Sequence, residues 1–153
     1  MFKLALTLHA IAGLFGLIVG PIAMYSKKSR GLHTTSGLVY VVLMTAVCIS
    51  GALLSILKWE QNWWLLFVAI FSYAFCLRGF FAAKNRRSGW VKNHISGMLG
   101  SYVAMSTAFI VVNVGRVEFL NQVPVIVFWV LPTVIAVPLI RRTVAKNRAS
   151  ANV

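Results

Sequence analysis

Five stretches of this chain are apolar for 18 to 26 residues each, and only short polar connections separate them. They cover residues of about 4–25, 32–57, 62–83, 93–114 and 123–140. As helices they would extend roughly 27–39 Å, matching or exceeding a hydrocarbon core of about 30 Å. Composition agrees: 59% of the 153 residues are hydrophobic and 11% charged, where a soluble domain carries about 25% charged residues. A soluble chain this short could not hide that much apolar surface. A soluble enzyme, a disordered tail and a disulfide-rich secreted module are all excluded on this ground. The expected fold is all-α: one integral-membrane domain over residues 1–153, built as a bundle of five transmembrane helices. A cleaved signal peptide fits the first stretch poorly. Lys3 is the whole of its basic region, no small-x-small site precedes Pro21, and His9 interrupts the apolar run. Cys48 and Cys76 lie inside apolar runs and read as buried thiols, not as a disulfide or a metal pair.

The charge balance orients this bundle. Lys and Arg number 15 against two acids, a formal net of +13. Eleven of the basic residues fall on one set of alternate connections: Lys27, Lys28, Arg30, Lys84, Arg86, Arg87, Lys92, Arg141, Arg142, Lys146 and Arg148. The other set holds Lys3, Lys58 and Arg116 with both acids, Glu60 and Glu118. Loops retained in the cytoplasm carry the excess of Lys and Arg, so the N-terminus is expected outside and the C-terminus inside. Because the basic residues punctuate apolar runs and share no soluble face, nucleic acid is not an expected partner. The lipid bilayer is. Segment five contains Pro124, Pro132 and Pro138, the last two of which are expected to bend it or interrupt its hydrogen-bond ladder. Its few small residues suit a place at the bundle periphery or against a partner.

Ionisable residues in spanning segments are candidate functional sites. Four qualify: His9, His33, Arg78 and His94. His33 and His94 open helices that start on the same side, so they share a depth. His9 sits roughly 20 Å away from them along the membrane normal, which disfavours one site using all three. Small residues follow each imidazole, in His9-Ala-Ile-Ala-Gly13, His33-Thr-Thr-Ser-Gly37 and His94-Ile-Ser-Gly97. A small face admits a neighbouring backbone and equally a flat macrocycle. His33 and His94 can therefore be interfacial residues bonding water, headgroups or loop carbonyls, or axial ligands of a b-type haem. A zinc or copper ion would find in two histidines an incomplete set. His9 is expected to hydrogen-bond Asn113 or a loop. Arg78 has no carboxylate on its side of the membrane. It can snorkel to the headgroups or hold an anion, such as a lipid phosphate or a haem propionate. Helix N-termini at His33 and His94 would add positive potential on that side.

Enzymatic templates fail. The chain has no aspartate, so no Ser/His/Asp set exists; paired carboxylates and a Gly-rich phosphate loop are absent as well. Proton-driven transport ordinarily needs a buried acid, and neither glutamate reads as buried.

The motif string extends over nearly the whole chain. It runs His9-x-x-x-Gly13 with Gly20-Pro21, then Gly31-Leu-His33-x-x-x-Gly37-x-x-Tyr40. Trp90-x-x-x-His94-x-x-Gly97-Met98 follows, with Ser101-Tyr102, Thr107-Ala-Phe109 and Asn113, and finally Trp129-x-x-Pro132. This resembles a family of predicted bacterial multi-pass membrane proteins, domain of unknown function 2306. The resemblance implies a bacterial cytoplasmic (inner) membrane protein and no established reaction. It singles out the three histidines together with Tyr40, Tyr102 and Asn113. Two functions follow as expectations. In one, His33 and His94 ligate haem b for electron transfer, with Arg78, Tyr40 and Tyr102 around the cofactor. In the other, the chain is a non-catalytic membrane module that packs with a membrane-protein partner or binds an anionic lipid at its cytoplasmic face.

Overall fold

The structure is a computed structural model that describes residues 1–28, 31–120 and 122–149. Arg30 and the side chain of Arg148, both in the basic count above, lie outside the described residues. The described residues form five α-helices and no strand: α1 Phe2–Tyr25, α2 Leu32–Leu57, α3 Trp59–Asn85, α4 Trp90–Val114 and α5 Val125–Ala149. All five are long and apolar enough to cross a membrane. A short 3₁₀ turn, Glu118–Leu120, lies between α4 and α5.

The helices run further than the apolar stretches. The expected polar loop 58–61 shrinks to Lys58, because Trp59, Glu60 and Gln61 form the first turn of α3. Glu60 there meets the partial positive charge of a helix start. The helix α5 likewise continues past Arg141 and Arg142. Hydropathy marks where lipid ends, whereas helix propensity decides where the helix ends. Pro132 and Pro138 both lie inside α5, which stays helical through them; having no N–H, each leaves one rung of the helix's hydrogen-bond ladder unmade.

The chain divides into two compact units, Met1–Cys76 and Leu77–Val153, with the boundary inside α3. In the first unit α1 packs on α2. The buried residues of α1 are Ala5, Ala12, Gly16 and Gly20, and those of α2 include Ser36, Tyr40, Met44, Cys48, Gly51 and Ser55. Spacings of three and four residues put the α2 set on a single helical stripe. In the second unit α4 packs on α5, and α4 buries Gly97, Ser101, Met105 and Thr107. No residue of the α5 span is buried.

Small and polar residues are buried beside a few large ones, Tyr40, Met44, Leu54 and Met105, and much of what is exposed is large and apolar. Ser55 and Ser101 are 0% exposed, while Leu4 is 66% and Phe71 61% exposed. This inverts a soluble protein and is the arrangement lipid requires, since acyl chains compete for Leu and Phe but not for backbone approach. Two buried hydroxyls turn back on their own helices, Ser55 donating to Gly51 O at 2.9 Å and Thr107 to Val103 O at 2.8 Å, whereas the buried Ser72 Oγ has no hydrogen-bond partner.

Candidate functional site

The helices α3 and α4 meet through a tight connection, 86–89. Arg86 takes a left-handed φ of 47°, and its N–H closes α3 onto Ala82 O at 3.0 Å. The Trp90 N–H bonds Arg87 O at 2.9 Å, and Gly89 enters α4 with φ 73°. Below this turn the two backbones nearly touch. A Cβ placed on Gly79 would lie 2.7 Å from Met98 N and 3.0 Å from the Gly97 carbonyl carbon, so only glycine fits. His94 Nδ1–H donates to Gly79 O at 2.9 Å. In His94-x-x-Gly97 the imidazole thus ties α4 to the α3 backbone while the glycine lets the helices close.

The same turn borders an open, surface-facing pocket of about 270 Å³, most of whose lining side chains are exposed. Arg78, Phe81 and Asn85 reach it from α3, Arg87 and Ser88 from the turn, and Trp90 and Asn93 from α4. Arg78 Nη2 donates to Asn93 Oδ1 at 3.0 Å. That bond uses one of the five N–H groups of the guanidinium. Arg86 stands apart from this lining, with its guanidinium 5.3 Å from the centroid of the Trp90 ring. No carboxylate lines the pocket. The α4 N-terminus has no side-chain cap, so its first amides add partial positive charge at the same end. Chemically the pocket offers hydrogen-bond donors and two guanidinium charges beside aromatic surface.

The α1–α2 turn treats its basic residues differently. His33 Nδ1–H donates to Ala23 O at 2.8 Å. Lys28 Nζ bonds the same carbonyl at 3.2 Å and also reaches Met24 O. Partial burial lowers the Lys28 amine below its ordinary pKa. Ser26 adds its N–H and hydroxyl to Ile22 O. The last turn of α1, whose carbonyls have no acceptor role left inside the helix, is capped by these three side chains.

The remaining expected site residues are placed as follows. His9 Nδ1 bonds Val47 O at 3.1 Å and Ser50 Oγ at 3.0 Å on α2. Its ring lies against Gly51, where a Cβ would come within 3.3 Å of His9 Cε1. Asn113 donates to Phe109 O of its own helix at 2.8 Å. The expectation that His9 bonds Asn113 or a loop did not foresee the α2 partners. Tyr40 is buried, with its hydroxyl 4.0 Å from Met44 Sδ, and Tyr102 is half-buried. All three histidines direct Nδ1 at a backbone carbonyl. A carbonyl only accepts, so Nδ1 carries the hydrogen and the lone pair of each neutral ring is on Nε2. No group of three or more His, Cys, Asp or Glu residues that could hold a metal ion occurs among the described residues.

The pocket is completed by residues the sequence reading did not propose for a site: Asn85, Ser88 and Asn93, with Arg87, read only as an orienting basic residue, and Trp90, read only within the family motif. Asn93 was readable only as the polar start of a spanning segment. Its role appears once α4 is seen to begin three residues earlier, at Trp90.

Five lipid-length helices, a small-residue core and an apolar exterior define a multi-pass α-helical membrane protein. The chain belongs to the family described as Predicted membrane protein (DUF2306), whose model matches residues 6–141. No curated protein and no solved structure matches it.

Proposed function

We propose that this membrane protein works as a non-catalytic module that binds an anionic headgroup in the α3–α4 turn. The observation that carries the reading is the pocket lined by both Arg78 and Arg87, with no carboxylate among its lining residues. Guanidinium groups bind phosphate oxygens through short charge-assisted hydrogen bonds. The loop charges favour the cytoplasmic face of a bacterial inner membrane for this turn, where anionic lipids attract basic groups. Trp90 and Phe81 suit the interfacial depth of such a site.

Native mass spectrometry of the detergent-solubilised protein tests the reading. Phosphatidylglycerol should be retained about tenfold better than phosphatidylcholine, a ratio worth about 1.4 kcal/mol. The double variant Arg78→Ala/Arg87→Ala should erase the difference. Equal retention of the two lipids by the wild-type protein would exclude the reading.

A further inference from the structure

The pocket in the α3–α4 turn has more positive charge than one phosphodiester can neutralise. Arg78 and Arg87 both line it, and the two acids of the chain lie elsewhere, Glu60 in the first turn of α3 and Glu118 in the 3₁₀ turn. Its other polar groups are the Ser88 hydroxyl and the amides of Asn85 and Asn93. Asn93 Oδ1 already accepts from Arg78, which leaves the Asn93 NH₂ as a donor. The uncapped α4 start adds to the potential. A zwitterionic headgroup would bring an ammonium or choline against two guanidinium groups. A phosphodiester brings one negative charge, and a phosphomonoester about −1.5 to −2 near neutral pH with three terminal acceptor oxygens.

Resting on the anionic-headgroup reading above, we propose that this pocket selects a phosphomonoester over a phosphodiester. Arg78 and Arg87 each take a terminal oxygen, and the Asn93 amide and Ser88 hydroxyl are the donors available to the third. The bond to Asn93 fixes one edge of the Arg78 guanidinium before any ligand arrives, so less side-chain freedom is lost on binding. Two sources can supply this chemistry: a lipid of the phosphatidic acid type, and free phosphate or a soluble monoester.

Binding of phosphatidic acid and phosphatidylglycerol with identical acyl chains, to the full chain in detergent at pH 8, separates monoester from diester. Phosphatidic acid should bind about tenfold more tightly, the factor supplied by one further charge-assisted hydrogen bond. Asn93→Asp keeps an acceptor for Arg78 and cancels one positive charge, so the preference should fall to about twofold while the thermal melt stays unchanged. Inorganic phosphate at millimolar concentration identifies the source. Displacement of phosphatidic acid shows that the phosphate group alone is read, and failure to displace it shows that the lipid body is read too; both support the monoester. Equal affinity for the two anionic lipids would overturn the monoester preference and leave the anion reading standing. Affinity for neither above phosphatidylcholine would overturn both.

Discussion

The two basic turns, between α1 and α2 and between α3 and α4, carry similar residues and use them in opposite ways. In the first, Lys28 and His33 fold back onto the last carbonyls of α1. Both helix ends receive one backbone N–H, from Ser26 onto Ile22 O and from Arg86 onto Ala82 O. In the second turn the chain reverses through the left-handed Arg86, and Arg78 and Arg87 line a pocket. A basic connection in a membrane protein therefore cannot be interpreted from its charge alone. Where its cations are spent, on helix carbonyls or around a pocket, decides whether they are structural or available.

The largest effect should come from the crossing beneath the second turn. Gly79→Ala drives a methyl group into backbone atoms of Gly97 and Met98, which cannot swing aside. A loss of about 2–3 kcal/mol is expected, at the upper end for overpacking, read as a lowered thermal midpoint in mild detergent. An unchanged midpoint would mean that α3 and α4 do not approach so closely.

Next in size is a crossed experiment on the two turns. His33→Ala removes a bond to an α1 carbonyl and should cost about 1 kcal/mol of stability, typical of one hydrogen bond, with no change in binding of anionic lipid. Arg78→Ala/Arg87→Ala should do the reverse, abolishing the lipid preference and shifting the melt less, because the Arg78–Asn93 bond it removes is solvent-exposed. If His33→Ala also loses the lipid preference, the division of labour between the turns is wrong.

The smallest effect carries a change of sign. Gly37 follows His33 as Gly13 follows His9, yet a Cβ on Gly37 meets nothing within 4 Å. Gly37→Ala should therefore stabilise α2 by up to about 1 kcal/mol through helix propensity and the unfolded chain. A destabilised Gly37→Ala protein would point to a neighbour at that face.

These glycines show where the sequence is informative. Five helices were readable because lipid imposes a length and an apolar composition on each. The shared small-residue spacing after His9, His33 and His94 was readable too, but not its differing use. Gly97 lies in a backbone crossing whose other side is Gly79, a residue that carries no such signal. Helix ends were displaced wherever polar residues remain helical, as at Trp59 and Trp90. The pocket was only half legible. Arg78 stood out as a charge inside an apolar run, whereas Asn93 and Arg87 become informative only when the 86–89 turn brings them to it. The acceptors of the histidines were illegible in principle, because they are backbone carbonyls of Ala23, Val47 and Gly79.

The central claim is that arginines of the α3–α4 turn, and not the cations of the α1–α2 turn, hold the anion. Phosphorus–nitrogen dipolar recoupling NMR on bilayer-reconstituted protein, with the arginine side-chain nitrogens isotopically labelled, reads that contact directly. The account predicts close guanidinium-to-phosphate coupling in the wild-type protein and in Lys28→Ala, and its disappearance in Arg78→Ala/Arg87→Ala. Coupling that survives the double arginine variant would contradict it.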